Sequence, residues 1–110
     1  MRKILFENNK NIISKSLKLN RIKNNLSQSQ LAAKMQTMGV NLDQQMVSKI
    51  ERNARIVTDY ELACFCVVLG VDIQDMLREF QKGLEKSSWQ PIYSDYRILI
   101  PLLKLLAATV

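Results

Sequence analysis

Apolar residues recur along most of the chain three and four positions apart, the spacing that places them on one face of an α-helix. Five such stripes lie between about residues 14 and 80, and no alternating run is long enough to predict a strand. The stripes are Ile13, Leu17 and Ile22; Leu31, Ala32, Met35 and Met38; Val47 and Ile50; Leu62, Phe65, Cys66 and Leu69; and Ile73, Met76, Leu77 and Phe80. The pattern predicts an all-α fold.

Polar residues mark where these helices start and stop. Ser27 and Thr58 are each followed three residues later by Gln or Glu, the pattern of a capping box. Asp43 and Asp72 precede the third and fifth helices as N-caps, and Gly70 follows the fourth, where a left-handed residue is favoured. Because helices this short are unstable alone in water, the sequence predicts a compact globule of five helices that share one core.

The positive charge of the chain is concentrated in its first half. Residues 1–58 carry eleven Lys and Arg against three acidic residues, a net charge of +8, whereas residues 59–110 carry five against seven. This asymmetry fits a polyanionic partner, either nucleic acid or an anionic membrane surface. Basic solvated helices also occur in proteins that bind neither, so charge alone does not choose a function.

Few residues are available for catalysis or metal binding. The chain has no histidine, and its two cysteines, Cys64 and Cys66, lie in an apolar stretch and are predicted to be plain thiols of a reducing cytosol. Asp59 and Glu61 are explained as first-turn residues that the helix dipole favours. We therefore expect no enzyme, catalytic residue, cofactor, metal site or small-molecule ligand. The N-terminus has no signal-peptide core, and a cytoplasmic location is expected.

The third helix has an outer face suited to hydrogen bonding. With Val47 and Ile50 turned inward, four polar side chains project outward: Gln44, Gln45, Ser48 and Lys49. A glutamine amide matches the N6 and N7 edge of adenine in the major groove, and lysine donates to O6 and N7 of guanine. These four residues are predicted to read base edges, while nearby cations hold phosphates.

Three segments carry a family resemblance. They are "LSQSQLA" (residues 26–32), "MVSKIERN" (46–53) and "TDYELACFCVVLGV" (58–71). In this order they resemble the helix-turn-helix domain of phage repressor and Cro proteins, the xenobiotic-response-element-like regulators, over about residues 16–80. The resemblance implies a DNA-binding transcriptional regulator, a repressor, that binds a twofold-symmetric double-stranded operator as a homodimer.

The resemblance also assigns individual residues. It makes the third helix the recognition helix, with Gln44 and Gln45 in its first turn and Lys49 one turn later. It implies a structural ion pair between Arg21 and Glu51. It implies contacts with the DNA backbone for Gln28 and for Arg55, which lies in the loop after the third helix. We predict that Lys34, Arg52 and Asn53 join these contacts; the alternative for the three cations is that they are solvated charges.

The sequence departs from the family pattern at two places. The turn between the second and third helices, "QTMGVNL" (residues 36–42), is about five residues longer than usual, which affects the angle between these helices. We expect the second helix to continue to Met38, Gly39 to end it, and Val40 or Leu42 to fill the core. Asn53 stands where the family often has Gly, and Asn tolerates the left-handed conformation required there.

The predicted organisation is an N-terminal arm (residues 1–13), a helix-turn-helix domain (14–82) and a C-terminal extension (83–110). The extension ends in an apolar run, residues 98–110, which Pro101 and Lys104 interrupt. This run is shorter than the roughly 20 residues of a membrane span, so no membrane association is expected. We expect it to form a dimer interface; the alternatives are that it folds back on the helices or begins a longer effector region.

Two functions fit the sequence. The first is the sequence-specific DNA-binding regulator that reads the major groove with residues 43–52. The second is a protein-interaction module, antitoxin-like, that keeps the helical fold without reading bases. Salt dependence separates them, because binding dominated by phosphate contacts weakens steeply as salt rises.

Overall fold

The computed structural model describes residues 5–85 of the protein, except for the side chain of Glu85. These residues form five α-helices and, apart from an isolated bridge between Phe6 and Asn9, no β-structure. The helices are α1 (Ser14–Lys23), α2 (Gln28–Thr37), α3 (Gln44–Glu51), α4 (Asp59–Leu69) and α5 (Ile73–Glu85). The predicted all-α fold of five helices is confirmed.

Residues 5–78 form one compact unit around a single apolar core. The fully buried members include Leu17, Leu31, Val47, Phe65 and Met76, so each of the five helices contributes to it. Since none of these helices is long enough to be stable alone, the shared core holds the unit together. This core positions the outer faces of α2 and α3 on the surface.

From residue 79 the chain belongs to a second unit. Its described part, residues 79–85, continues α5 and includes an exposed ion pair of 3.7 Å between Lys82 Nζ and Glu79 Oε1. The predictions for the apolar run 98–110 lie outside the described residues.

Both predicted capping boxes are confirmed. The Ser27 hydroxyl accepts from the backbone N–H of Gln30 at 3.0 Å, and the Gln30 side chain accepts from the Ser27 N–H at 2.8 Å. Thr58 and Glu61 make the same two hydrogen bonds at the start of α4, at 3.3 and 2.9 Å. Each box satisfies N–H groups that the first helical turn leaves without partners, so the starts of α2 and α4 are fixed by local sequence.

The helix ends also follow local sequence, whereas three residues of the predicted stripes are exposed. Gly70 ends α4 with a φ of 65°, the left-handed conformation expected for it. The inward positions predicted for Ile22, Met38 and Ile73 are wrong, since these side chains are about half exposed. Ile22 lies in the last turn of α1, Met38 is the C-cap of α2, and Ile73 is the first residue of α5. All three therefore stand at helix ends, where the chain leaves the core.

The lengthened turn between α2 and α3 packs into the core. Helix α2 ends at Thr37 with Met38 as its C-cap, one residue earlier than predicted, and Gly39 follows with a φ of 83°. Val40 and Leu42 are both buried, so the turn fills the core with two apolar residues where at least one was expected. The Gln36 amide holds the turn by donating to the carbonyl oxygen of Leu42 at 2.7 Å.

Candidate nucleic-acid interface

Helix α3 presents one apolar and one polar face. Its N-cap Asp43 accepts from the backbone N–H of Met46 at 2.8 Å, as predicted. Val47 and Ile50 are fully buried, which fixes the rotation of the helix. The opposite face carries Gln44, Gln45, Ser48 and Lys49, of which Ser48 is half-buried and the others are exposed. The four residues predicted to read bases therefore lie together on the outer side of α3.

Gln45 and Lys49 are available for an external partner. Both side chains are exposed, and neither makes a hydrogen bond or ion pair within residues 5–85. They lie one turn apart on the same face of the helix. A donor and acceptor amide next to a flexible cation can address the edges of neighbouring bases.

Gln44 is held by α2. Its Nε2 donates to Oε1 of Gln28 at 2.7 Å, and Gln28 in turn donates from Nε2 to Oε1 of Glu51 at 3.1 Å. The residue predicted to read a base and the residue predicted to brace a phosphate are thus hydrogen-bonded to each other. The lengthened turn does not separate the N-terminal ends of α2 and α3, because this contact joins them.

The Arg21 and Glu51 side chains form the ion pair that the family resemblance implies. Arg21 Nε lies 2.7 Å from Oε2 of Glu51 and Nη2 lies 3.1 Å from Oε1, a two-bond geometry that ties α1 to the end of α3. The Glu51 side chain is only 3% exposed. Hydrogen bonding to Glu51 raises the pKa of Arg21, so the cation is stabilised in place. The third guanidinium nitrogen of Arg21, Nη1, donates to the carbonyl oxygen of Leu26 at 2.8 Å.

The three cations predicted to contact the DNA backbone differ in their surroundings. Lys34, on α2, is exposed and makes no ion pair within the described part of the chain. Arg52 is exposed, and its Nε makes a long hydrogen bond of 3.4 Å to the Ser48 carbonyl oxygen of its own helix. Both are therefore free to contact a phosphate.

Arg55 is instead used inside the protein. Its Nη1 and Nη2 lie 3.1 and 3.2 Å from the two carboxylate oxygens of Glu61, and Nη1 also donates to the Ile56 carbonyl oxygen at 2.9 Å. Burial raises the pKa of Glu61, but hydrogen bonds from Arg55 and Thr58 outweigh burial, and the pKa is lowered overall. This pair connects the loop after α3 to the start of α4, a role that the sequence reasoning did not assign.

Asn53 is also used inside the protein, by the N-terminal arm. Its backbone has a φ of 58°, the left-handed conformation expected where the family has Gly. Its Oδ1 accepts from the backbone N–H groups of Lys10 at 2.9 Å and Asn11 at 3.1 Å. Its Nδ2 donates to Oδ1 of Asn9 at 2.7 Å. The Asn53 side chain therefore anchors the arm beside the end of α3.

Asn11 was missed by the sequence reasoning. It is buried, and its Nδ2 donates to the carbonyl oxygens of Ile50 and Arg55, each at 2.9 Å. The signal in the sequence is the asparagine-rich stretch "ENNKNI" just before α1, since asparagine commonly bonds backbone groups where helices begin or end. Lys10, held between Asn9 and Asn11, is exposed and adds a cation to the arm.

The comparisons with known proteins point to one family. The family model described as helix-turn-helix matches residues 17–76, more than half of the 110-residue chain. No curated protein and no solved structure matches the chain significantly. Within residues 5–85, no helix is long and apolar enough to cross a membrane, and no group of three or more potential metal-binding His, Cys, Asp or Glu residues is found.

Proposed function

Because the chain belongs to the helix-turn-helix family of the Cro/C1 type, a family of DNA-binding transcriptional regulators, we propose that it represses transcription from a specific double-stranded operator. The observation that carries this proposal is the polar outer face of α3, where Gln44, Gln45 and Lys49 are exposed beside one another. In this proposal α3 lies in the major groove, with its N-terminal turn nearest the bases. A regulator of this kind acts in the cytoplasm.

In this proposal, bases are read by side chains whose hydrogen-bonding groups are not used within the protein. Gln45 and Lys49 have their full hydrogen-bonding capacity free, and Gln44 keeps its Oε1 and one N–H after its bond to Gln28. An oxygen beside an N–H complements the N6 and N7 edge of adenine, and a lysine complements guanine. Ser48, which is half-buried, supplements these contacts from the same face.

Backbone contacts fall to the cations that surround α3. Lys34 and Arg52 are exposed, and Gln28 has one N–H that is not used by Glu51. Lys10 joins this group, because Asn53 holds it beside the end of α3. Each cation that neutralises a phosphate releases a counterion, so binding of this kind weakens as salt rises.

Arg55 and Asn53 have a different role in this proposal. The guanidinium of Arg55 is paired with Glu61, and the amide of Asn53 holds the N-terminal arm. We therefore reassign both from direct phosphate contact to positioning of the loop after α3. Any weakening of DNA binding in variants at these positions is expected to follow from loss of the folded loop.

The proposed regulator is a homodimer. A helix-turn-helix dimer places two recognition helices about one helical turn of DNA apart, roughly 34 Å, and so binds a palindromic site. A single α3, with only two turns of helix, addresses few base pairs. Two copies double the number of bases that are read.

Selection of binding sites from a random duplex library, at near-physiological salt, tests this function. The expected result is a palindromic motif with half-sites about one helical turn apart. A Q45A/K49A variant is the matched control, because both side chains are exposed and contribute no hydrogen bond to the described fold. It should remain folded and enrich a degenerate motif. Recovery of no motif by the wild-type protein would contradict base reading and favour the protein-interaction module.

A further inference from the structure

We propose that Glu51 is a positioning residue that determines which amide atoms Gln44 presents to DNA, and so sets a base preference without touching DNA. The proposal rests on the proposed function, in which Gln44 faces a base edge. Its basis is the three-residue hydrogen-bond chain that runs from Glu51 through Gln28 to Gln44. Each link in this chain has a direction, which the chemistry of Glu51 fixes.

The first link starts from a group that can only accept. Both carboxylate oxygens of Glu51 receive N–H groups of Arg21, at 2.7 and 3.1 Å, and the side chain is 3% exposed. An ionised carboxylate has no proton to donate, so any further neighbour must approach it with a donor. The ion pair also holds the carboxylate in one place, because two guanidinium nitrogens bind it at once.

The second link sets the orientation of Gln28. Its amide must turn the NH2 group toward Oε1 of Glu51, at 3.1 Å, since the reversed amide would place two oxygens against each other. The amide oxygen of Gln28 then points away from Glu51 and toward the start of α3. The buried ion pair therefore determines which way round the Gln28 side-chain amide lies.

The third link sets the orientation of Gln44. Facing the oxygen of Gln28 at 2.7 Å, Gln44 must present its NH2 group, and one of its two N–H bonds is used there. What remains for DNA is one acceptor, Oε1, and one donor. That combination matches N6 and N7 of adenine. A reversed Gln44 would use its oxygen on Gln28 and present two donors, which match N7 and O6 of guanine.

The E51Q variant reverses the starting point of this chain. Its new amide keeps one oxygen, and the shorter Arg21 contact, 2.7 Å from Nε, favours the oxygen at that position. The NH2 group of the new amide then takes the Oε1 position, where it faces Gln28 and also lies opposite Nη2 of Arg21, which loses its acceptor there. The Gln28 amide turns its oxygen to meet this NH2 group, and Gln44 is reversed in consequence. We expect the preference for adenine over guanine at the Gln44 position to fall by about tenfold.

Two further variants separate positioning from stability. E61Q is the matched control, because Glu61 is also a buried carboxylate paired with an arginine, with side-chain exposure of 4%, and it contacts neither Gln28 nor Gln44. It should lower stability and leave base preference unchanged. Gln28→Met removes the middle link while keeping the ion pair of Arg21 and Glu51, so the preference should relax even if E51Q folds poorly.

The experiment is competition binding on four duplexes that differ at one base, with thermal unfolding of each variant measured in parallel. The base is the one at which Gln44→Ala abolishes the preference of the selected motif. Loss of the adenine preference at this base in E51Q and Gln28→Met, but not in E61Q, supports the proposal. A wild-type preference in folded E51Q or in folded Gln28→Met overturns it and leaves the proposed function standing. If Gln44→Ala changes no preference at any base, Gln44 is not a reader, and base reading by Gln44 falls together with this inference.

Discussion

The side-chain amide of Asn11 closes the C-terminal end of α3 by donating to the carbonyl oxygen of Ile50 at 2.9 Å. The same Nδ2 donates to the carbonyl oxygen of Arg55, also at 2.9 Å, so one buried amide joins the end of α3 to the loop that follows it. The last carbonyl groups of a helix have no partner within the helix. A residue 39 positions away in the chain supplies one here.

Replacing Asn11 with Ala should therefore destabilise the fold. The variant loses these two hydrogen bonds and a third, which Oδ1 accepts from the backbone N–H of Ile13 at 3.1 Å. Buried backbone groups are left with fewer partners, which costs about 1 to 3 kcal/mol of unfolding free energy. Urea denaturation followed by circular dichroism measures this cost. Asn41→Ala is the matched control, since Asn41 is exposed and makes no side-chain hydrogen bond within residues 5–85. Equal stability of the two variants would show that the Asn11 amide contributes nothing.

The parts of the fold that depend on near neighbours in sequence could be predicted from the sequence. The capping boxes of Ser27 and Thr58 join residues three apart, so their pattern can be read directly. The identity of Gly70 as a helix end follows from its conformational freedom in the same way. The polar face of α3 was also predictable, because burial of Val47 and Ile50 determines which residues point outward.

The parts that depend on distant residues could not be predicted. Asn53 bonds residues 42 to 44 positions earlier in the chain, and no local rule connects them. Arg55 stands in a loop, where periodicity says nothing about direction, so its pairing with Glu61 could not be distinguished from an exposed cation. The ion pair of Arg21 and Glu51 was expected only because the family resemblance supplied it.

Arg55→Ala should lower the free energy of unfolding. The molecules that remain folded should keep most of their affinity for nonspecific DNA. The substitution leaves the buried Glu61 carboxylate without its cation, at a cost of about 1 to 3 kcal/mol, between the values for exposed and buried pairs. Thermal unfolding measures the loss. Arg78→Ala, which removes the cation of an exposed pair with Asp75, should change stability by less than about 0.5 kcal/mol. If Arg55→Ala is as stable as the wild-type protein and its DNA affinity depends less steeply on salt, Arg55 contacts a phosphate after all.

Gln45→Ala and Lys34→Ala should affect DNA binding in different ways. Gln45 is exposed on α3 and reads a base in the proposed function, so its loss should relax the preference at one base by about 1 to 3 kcal/mol. In the proposed function Lys34 contacts a phosphate, so its loss should weaken all sequences alike and reduce the salt slope by about one. Binding to the selected site and to single-base variants, at several salt concentrations, distinguishes the two patterns. Uniform weakening by Gln45→Ala would rule out base reading by this residue.

Glu61 should give the fold part of its sensitivity to acid. Its pKa is lowered in the folded state from an ordinary value of 4.5, so the folded protein favours the ionised carboxylate more than the unfolded chain does. The resulting stability is present above about pH 4.5 and is lost as the pH falls through the lower, folded-state pKa. Urea denaturation between about pH 6 and pH 3 should show this loss in the wild-type protein. The E61Q variant, which has no proton to gain at this position, should start less stable and lose less on acidification. Parallel pH curves for the two proteins would show that Glu61 titrates alike in the folded and unfolded states.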